Sequence, residues 1–136
     1  MPSLIGVIHL PPLAGAPGSL GLHPAEALQQ AGIRAVEEAR VLEKAGFQAL
    51  ILENFGDAPF FRERVPAETI ASLSVIAAAL RESCRLPIGI NVLRNDAHAA
   101  LAIAAVTGCD FIRVNVLVGA ALADQGILES EAWELA

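Results

Sequence analysis

Four short apolar segments of this chain each run into polar side chains at or near their C-terminal end, and that repetition constrains the fold more than any other feature. The segments are residues 4–8 followed by His9, 49–52 followed by Glu53 and Asn54, 87–90 followed by Asn91, and 111–116, which contains Arg113 and Asn115. Side chains alternate along a strand, so residues of one parity share a face. Val7/His9, Ile51/Glu53, Gly89/Asn91 and Arg113/Asn115 are all odd-numbered, which places them on one face that turns polar only at its C-terminal rim. Buried charge without a partner is costly, so Glu53 and Arg113 belong in strands only if they pair or serve a site.

Helical spacing fills the intervals. Pro24 at a first helical position, with Glu26 behind it, opens a helix whose Leu28, Ala31, Ala35, Val36, Ala39 and Leu42 recur at three-to-four spacing until Gly46. Pro66, Ala67 and Glu68 open a second, with Ile70, Leu73, Ile76, Ala77 and Leu80 on one face. A third runs from Asn95 or Asp96, either of which can cap it, through Ala97, Ala100, Leu101 and Ala104 to Gly108. Residues 119–129 read as a loop, and Ser130, with Glu131 and Glu134 in the first turn, starts a fourth helix. Apolar strands interleaved with helices predict parallel βα units whose functional groups collect at the strand C-termini. The expected fold class is therefore α/β, of the (β/α)8 TIM-barrel type. A complete barrel takes about 250 residues, so the 136 residues here read as one domain with about four βα units, half a barrel.

Composition narrows the partners. At 54% hydrophobic the chain can form one core, and its net charge of −6 with nine dispersed basic residues offers no footprint for nucleic acid. The longest apolar stretches, such as 99–107, are too short and Ala-rich to span a bilayer, and Met1-Pro2-Ser3 lacks the charged start of a signal peptide, so a cytoplasmic protein is expected. Cys84 and Cys109 each follow a helix and precede a strand, away from the rim, and read as structural thiols. His9, His23 and His98 lack metal-ligand spacing; nothing in the sequence argues for a metal, and no cofactor is indicated.

The rim supplies the candidate chemistry. Glu53 and Asp124 are the candidate catalytic carboxylates, because rim carboxylates beside low-dielectric walls are where proton affinities are tuned. Asp124, followed by Gln125 and Gly126, also reads as an ordinary turn residue. His9, Asn54, Asn91, Arg94, Asp96, Arg113 and Asn115 are the candidate substrate-binding groups for a small anionic molecule. The fork of Arg94 suits carboxylate or phosphate. Arg113 is a natural partner for Glu53, leaving Asn115 to reach a ligand. Asp57 can cap a helix or face a ligand, and Phe60 and Phe61 read as a plug that holds their loop down. The glycines at 15, 18 and 21 match no phosphate-loop pattern and read as a flexible rim loop.

Taken together, Gly6-Val7-Ile8-His9-Leu10-Pro11-Pro12-Leu13-Ala14-Gly15, Leu52-Glu53-Asn54-Phe55-Gly56-Asp57-Ala58-Pro59-Phe60, Gly89-Ile90-Asn91-Val92-Leu93-Arg94-Asn95-Asp96, and Arg113-Val114-Asn115-Val116 with Asp124-Gln125-Gly126 carry a resemblance. The chain resembles the BtpA/SgcQ family over nearly all its length. The resemblance implies a TIM-type barrel akin to the ribulose-phosphate-binding barrels. It also implies a link to photosystem I biogenesis in cyanobacteria, peripheral to the thylakoid membrane, although similar proteins occur in non-photosynthetic organisms beside sugar-uptake or catabolic genes. It assigns no residue role.

Two departures accompany it. The family's chain continues through a second half, where the phosphate site of such barrels usually lies. Val118 and Ala123 stand where similar sequences often carry Ser or Thr. The expected function is an enzyme acting on a sugar-phosphate-like anion, with a non-catalytic photosystem I assembly factor as the alternative. The expected partner in closing the barrel is a second copy on a two-fold axis or a missing C-terminal half.

Overall fold

The computed structural model describes residues 1–21, 23–130 and 132–136. Four strands, β1 (Ile5–His9), β2 (Ala49–Glu53), β3 (Ile88–Asn91) and β4 (Phe111–Ile112), form one parallel sheet in sequential order. Helices α1 (Pro24–Lys44), α2 (Ala67–Ser83) and α3 (Ala97–Thr107) connect them. Right-handed crossovers in sequential order place successive helices on the same side of a sheet, and α1 packs on α2 and α2 on α3. The chain is thus an α/β protein, with a four-stranded parallel sheet and three α-helices among the described residues.

The even-numbered strand residues build the core. Ile8, Leu50, Leu52, Ile88 and Ile90 are buried against Ala31, Ala35 and Ala39 of α1, Leu73, Ile76, Ala77 and Leu80 of α2, and Ala100, Ile103 and Ala104 of α3. Small residues at four-residue spacing in α1 let the helix sit close to the sheet. In α3 the buried face includes Ile103, whereas Leu101 is exposed. Among the described residues the odd-numbered face carries no helix. Ile5 and Val7 lie open on it, and the Phe111 ring lies over Gly89, where a Cβ would come within 2.2 Å of the ring.

Three expectations change beyond β3. The strand expected over 111–116 keeps ladder pairing only to Ile112, with Arg113 N–H still donating to Ile90. Further on, the Asn95 side chain takes both backbone groups of Val116, accepting from its N–H at 2.8 Å and donating to its carbonyl at 3.2 Å. Residues 119–129, expected as a loop, contain an antiparallel hairpin of β5 (Ala120–Ala123) and β6 (Gly126–Glu129), turned by Asp124 and Gln125 with Gly126 at a φ of +101°. The expected fourth helix is a 3-10 turn over Ala132–Glu134; Glu131 lies outside the described residues. No helix among the described residues is long and apolar enough to cross a membrane.

Candidate functional site

Parallel register brings the strand ends into line. His9 pairs with Glu53 and Glu53 with Asn91, so three odd-numbered polar residues stand side by side, and Arg113 follows Ile112, the partner of Ile90. Glu53 is the hub. Its Oε2 accepts from Asn91 Nδ2 at 2.5 Å and from Arg113 at 3.0 Å, while Oε1 lies 3.4 Å from His9 Nε2. The carboxylate is buried, whereas the His9 and Arg113 side chains are half exposed. A buried acceptor flanked by two reachable cation-forming groups can orient them and can balance charge developing on either.

Phe55, which the sequence reading did not single out, completes this row. Its ring stacks on His9 with centroids 4.3 Å apart and planes 16° apart, and Phe60 leans against it at 6.4 Å. Phe60 thus helps to hold the loop, while Phe61 is exposed. An aromatic two residues beyond a strand-end carboxylate was the only available signal.

Other candidates serve the frame of the rim. Asn54 is fully buried; its Oδ1 accepts from Leu93 N–H at 2.7 Å, and its Nδ2 donates to Asp57 at 3.1 Å. Asp57 in turn accepts from Leu13 N–H at 2.7 Å. Asn95 joins the loop after β3 to Val116 and, at 3.4 Å, to the Glu129 carbonyl. Three buried polar side chains therefore stitch each rim loop to the next. Asp96, rather than Asn95, caps α3: its Oδ1 accepts from Ala99 N–H at 2.9 Å and from Arg64 at 3.1 Å, and its Oδ2 accepts from Val65 N–H at 2.9 Å.

Arg94 and Asn115 remain partly buried beyond β3 and β4, and Arg94 Nε and Asn115 Oδ1 find no hydrogen-bond partner among the described residues. Asp124 is exposed on the hairpin turn and hydrogen-bonds to none of the row. Both cysteines are free thiols at the opposite end of the sheet, Cys84 following α2 and Cys109 preceding β4. Among the described residues no group of three or more His, Cys, Asp or Glu is placed to hold a metal ion.

Burial pushes the Asp57 carboxyl above the usual carboxylate range, against the opposing pull of the Leu13 and Asn54 hydrogen bonds. A folded-state value above the unfolded one favours the protonated form. The resulting stabilisation is complete below the ordinary aspartate value and is lost as pH rises through the folded value. The stability advantage of wild type over Asp57→Asn is expected to shrink as pH is raised from about 4 towards neutrality. Urea unfolding of both proteins across that range measures it, and a gap that widens with pH would contradict it.

A parallel sheet whose polar side chains gather at the C-terminal ends of its strands defines an α/β protein with a rim site. The chain belongs to the BtpA family, whose model matches residues 1–136. It is 53% identical over 133 residues to an uncharacterized protein of Methanocaldococcus jannaschii, covering 98% of this chain and 49% of that one. It is 44% identical over 132 residues to the photosystem I biogenesis protein BtpA of Synechocystis, covering 97% and 44%. An uncharacterized mitochondrial protein of Caenorhabditis elegans is 32% identical over 139 residues, covering 98% and 48%. The chain spans about half the length of these curated relatives. No solved structure matches it.

Proposed function

We propose that residues 1–136 form the N-terminal half of a (β/α)8 barrel of the ribulose-phosphate-binding kind, and that the rim is the binding site of an enzyme for a small, sugar-phosphate-like anion. The observation that carries this reading is the row of His9, Glu53, Asn91 and Arg113 across four adjacent strands, all joined through one buried carboxylate. Arg113 and Arg94 supply donors for the anion, Asn91 and Asn115 orient it, and proton transfer belongs to the Glu53 cluster rather than to Asp124 on its exposed turn. The open face bearing Ile5 and Val7, with free sheet edges at β1 and β4, supports closure by a second half of a longer chain or by a second copy of this one.

Calorimetric titration with inorganic phosphate and simple sugar monophosphates tests the site, on this chain and on a relative of full length. Hydrogen bonds to a charged group contribute about 1.5–3 kcal/mol, so removing the guanidinium in Arg113→Ala is expected to weaken binding by about tenfold or more. Equal affinity in wild type and variant, or no saturable binding by the full-length relative, would refute the proposal.

A second reading rests on the relative named as a photosystem I biogenesis protein: the rim as part of an assembly factor. Relatives in an archaeon and a nematode, which build no photosystem, favour small-molecule chemistry as the role shared across the family. An unchanged photosystem I content after deletion of the gene in a photosynthetic host would remove this reading.

A further inference from the structure

We propose that His9 is the proton-exchanging group of the rim, with Nδ1 turned to the ligand, Glu53 holding Nε2 and Phe55 holding the plane of the ring. This assignment rests on the reading of the rim as a small-molecule site.

Glu53 is only 4% exposed, and its Oε2 is already engaged by Asn91 and Arg113. A carboxylate enclosed in this way has no open path to a ligand proton. What it does reach is His9, through the 3.4 Å approach of Oε1 to Nε2. That is ion-pair distance, longer than a formed hydrogen bond, and catalytic pairs commonly tighten from such spacing when a ligand arrives. His9 has the opposite character: its side chain is 51% exposed, and no hydrogen bond to Nδ1 forms among the described residues.

Phe55 explains how a half-exposed imidazole keeps its orientation. The near-parallel stack holds the plane of the ring, and the approach of Nε2 to Glu53 Oε1 selects which edge faces the carboxylate. Phe55 is itself 52% exposed, which is more than a residue serving only to fill the core requires. An imidazole that faces a carboxylate through one nitrogen keeps its proton there and carries its lone pair on the other.

In this arrangement Nδ1 takes a proton from an O–H or C–H of the ligand. The new N–H bond forms as the ligand bond breaks, the electron pair stays on the ligand, and the Glu53 carboxylate balances the imidazolium. Arg113, bound to the same carboxylate through one nitrogen, has its remaining N–H groups for the developing anion.

Nitrogen-15 NMR of the labelled chain reads the assignment without a ligand, with the exposed His23 and His98 as references in the same spectra. Where the imidazoles are neutral, His9 is expected to show one tautomer, protonated at Nε2 and bare at Nδ1, with a wider separation of its two nitrogen shifts than either reference. In Glu53→Gln and Phe55→Leu the separation is expected to fall towards the references, and Phe55→Trp is expected to restore it. A wild-type His9 that averages like His23 and His98, or that carries its proton on Nδ1, overturns the assignment. So does a separation unmoved by either variant in a folded chain. Should Glu53→Gln fail to fold, the wild-type tautomer and Phe55→Leu decide. Failure of this test removes the role of His9 and leaves the rim as an anion site. Absence of anion binding with the tautomer pattern intact overturns the small-molecule reading and the ligand-facing half of this assignment.

Discussion

Replacing Gly56 by Ala is expected to destabilise the fold by about 3 kcal/mol or more, measured as a lowered urea midpoint. Gly56 sits in the 3-10 turn Phe55–Asp57, directly against the segment that leaves β1. A Cβ there would lie 2.5 Å from the Pro11 carbonyl carbon and the Pro12 nitrogen and 2.6 Å from the Leu10 oxygen. These are backbone atoms flanked by two prolines, so no side chain can swing away to make room. The segment is also held from both sides, since Gly56 N–H donates to Leu10 at 2.9 Å and Leu13 N–H donates to Asp57 at 2.7 Å. Relief therefore requires parting the first two rim loops, which would also displace Phe55 from His9. A variant as stable as wild type would mean that these loops are not clamped together.

Asn54→Ala carries the second large expected effect, a loss of about 3 kcal/mol on the same measurement. The substitution leaves the buried Leu93 N–H without its 2.7 Å acceptor and takes one donor from the buried Asp57 carboxylate. Each orphaned group bears the desolvation penalty of a polar atom that water cannot reach. Asn54→Asp keeps the acceptor for Leu93 but sets a second carboxylate against Asp57, so it is expected to lose further stability as both ionise with rising pH. If Asn54→Ala unfolds at the wild-type urea concentration, the stitch between the second and third rim loops contributes nothing.

Much of the sheet was legible because its signal is local. The apolar runs 4–8, 49–52 and 87–90, each ending in a polar group, predict strands close to the observed ones, and the common parity of His9, Glu53, Asn91 and Arg113 anticipates the row that Glu53 joins. The helix starting at Pro24 and the one ending at Gly108 follow from end signals a few residues long. The hairpin Ala120–Ala123 and Gly126–Glu129 was missed for a related reason. Its strands are Ala-rich or largely exposed, so they lack the alternation that marks a half-buried strand, and only Gly126 signalled the turn.

The site was legible only in part. Asn54, Asp57 and Asn95 have the composition of ligand-binding groups, and in the fold they bind backbone atoms 39, 44 and 21 residues away. Composition at a strand end states that polar atoms are present; it does not state whose they are. Phe55 was overlooked because stacking on His9 pairs residues from two different strand exits.

The sequence by itself determined the parallel α/β order, the buried even-numbered face and the end of the sheet where polar groups collect, because periodicity and helix-end chemistry act over a few residues. Only the tertiary structure decided which of those polar groups stitch the loops and which stand open at the rim. That division depends on which buried backbone N–H and carbonyl groups lack a partner within their own element, and it is set when distant segments meet.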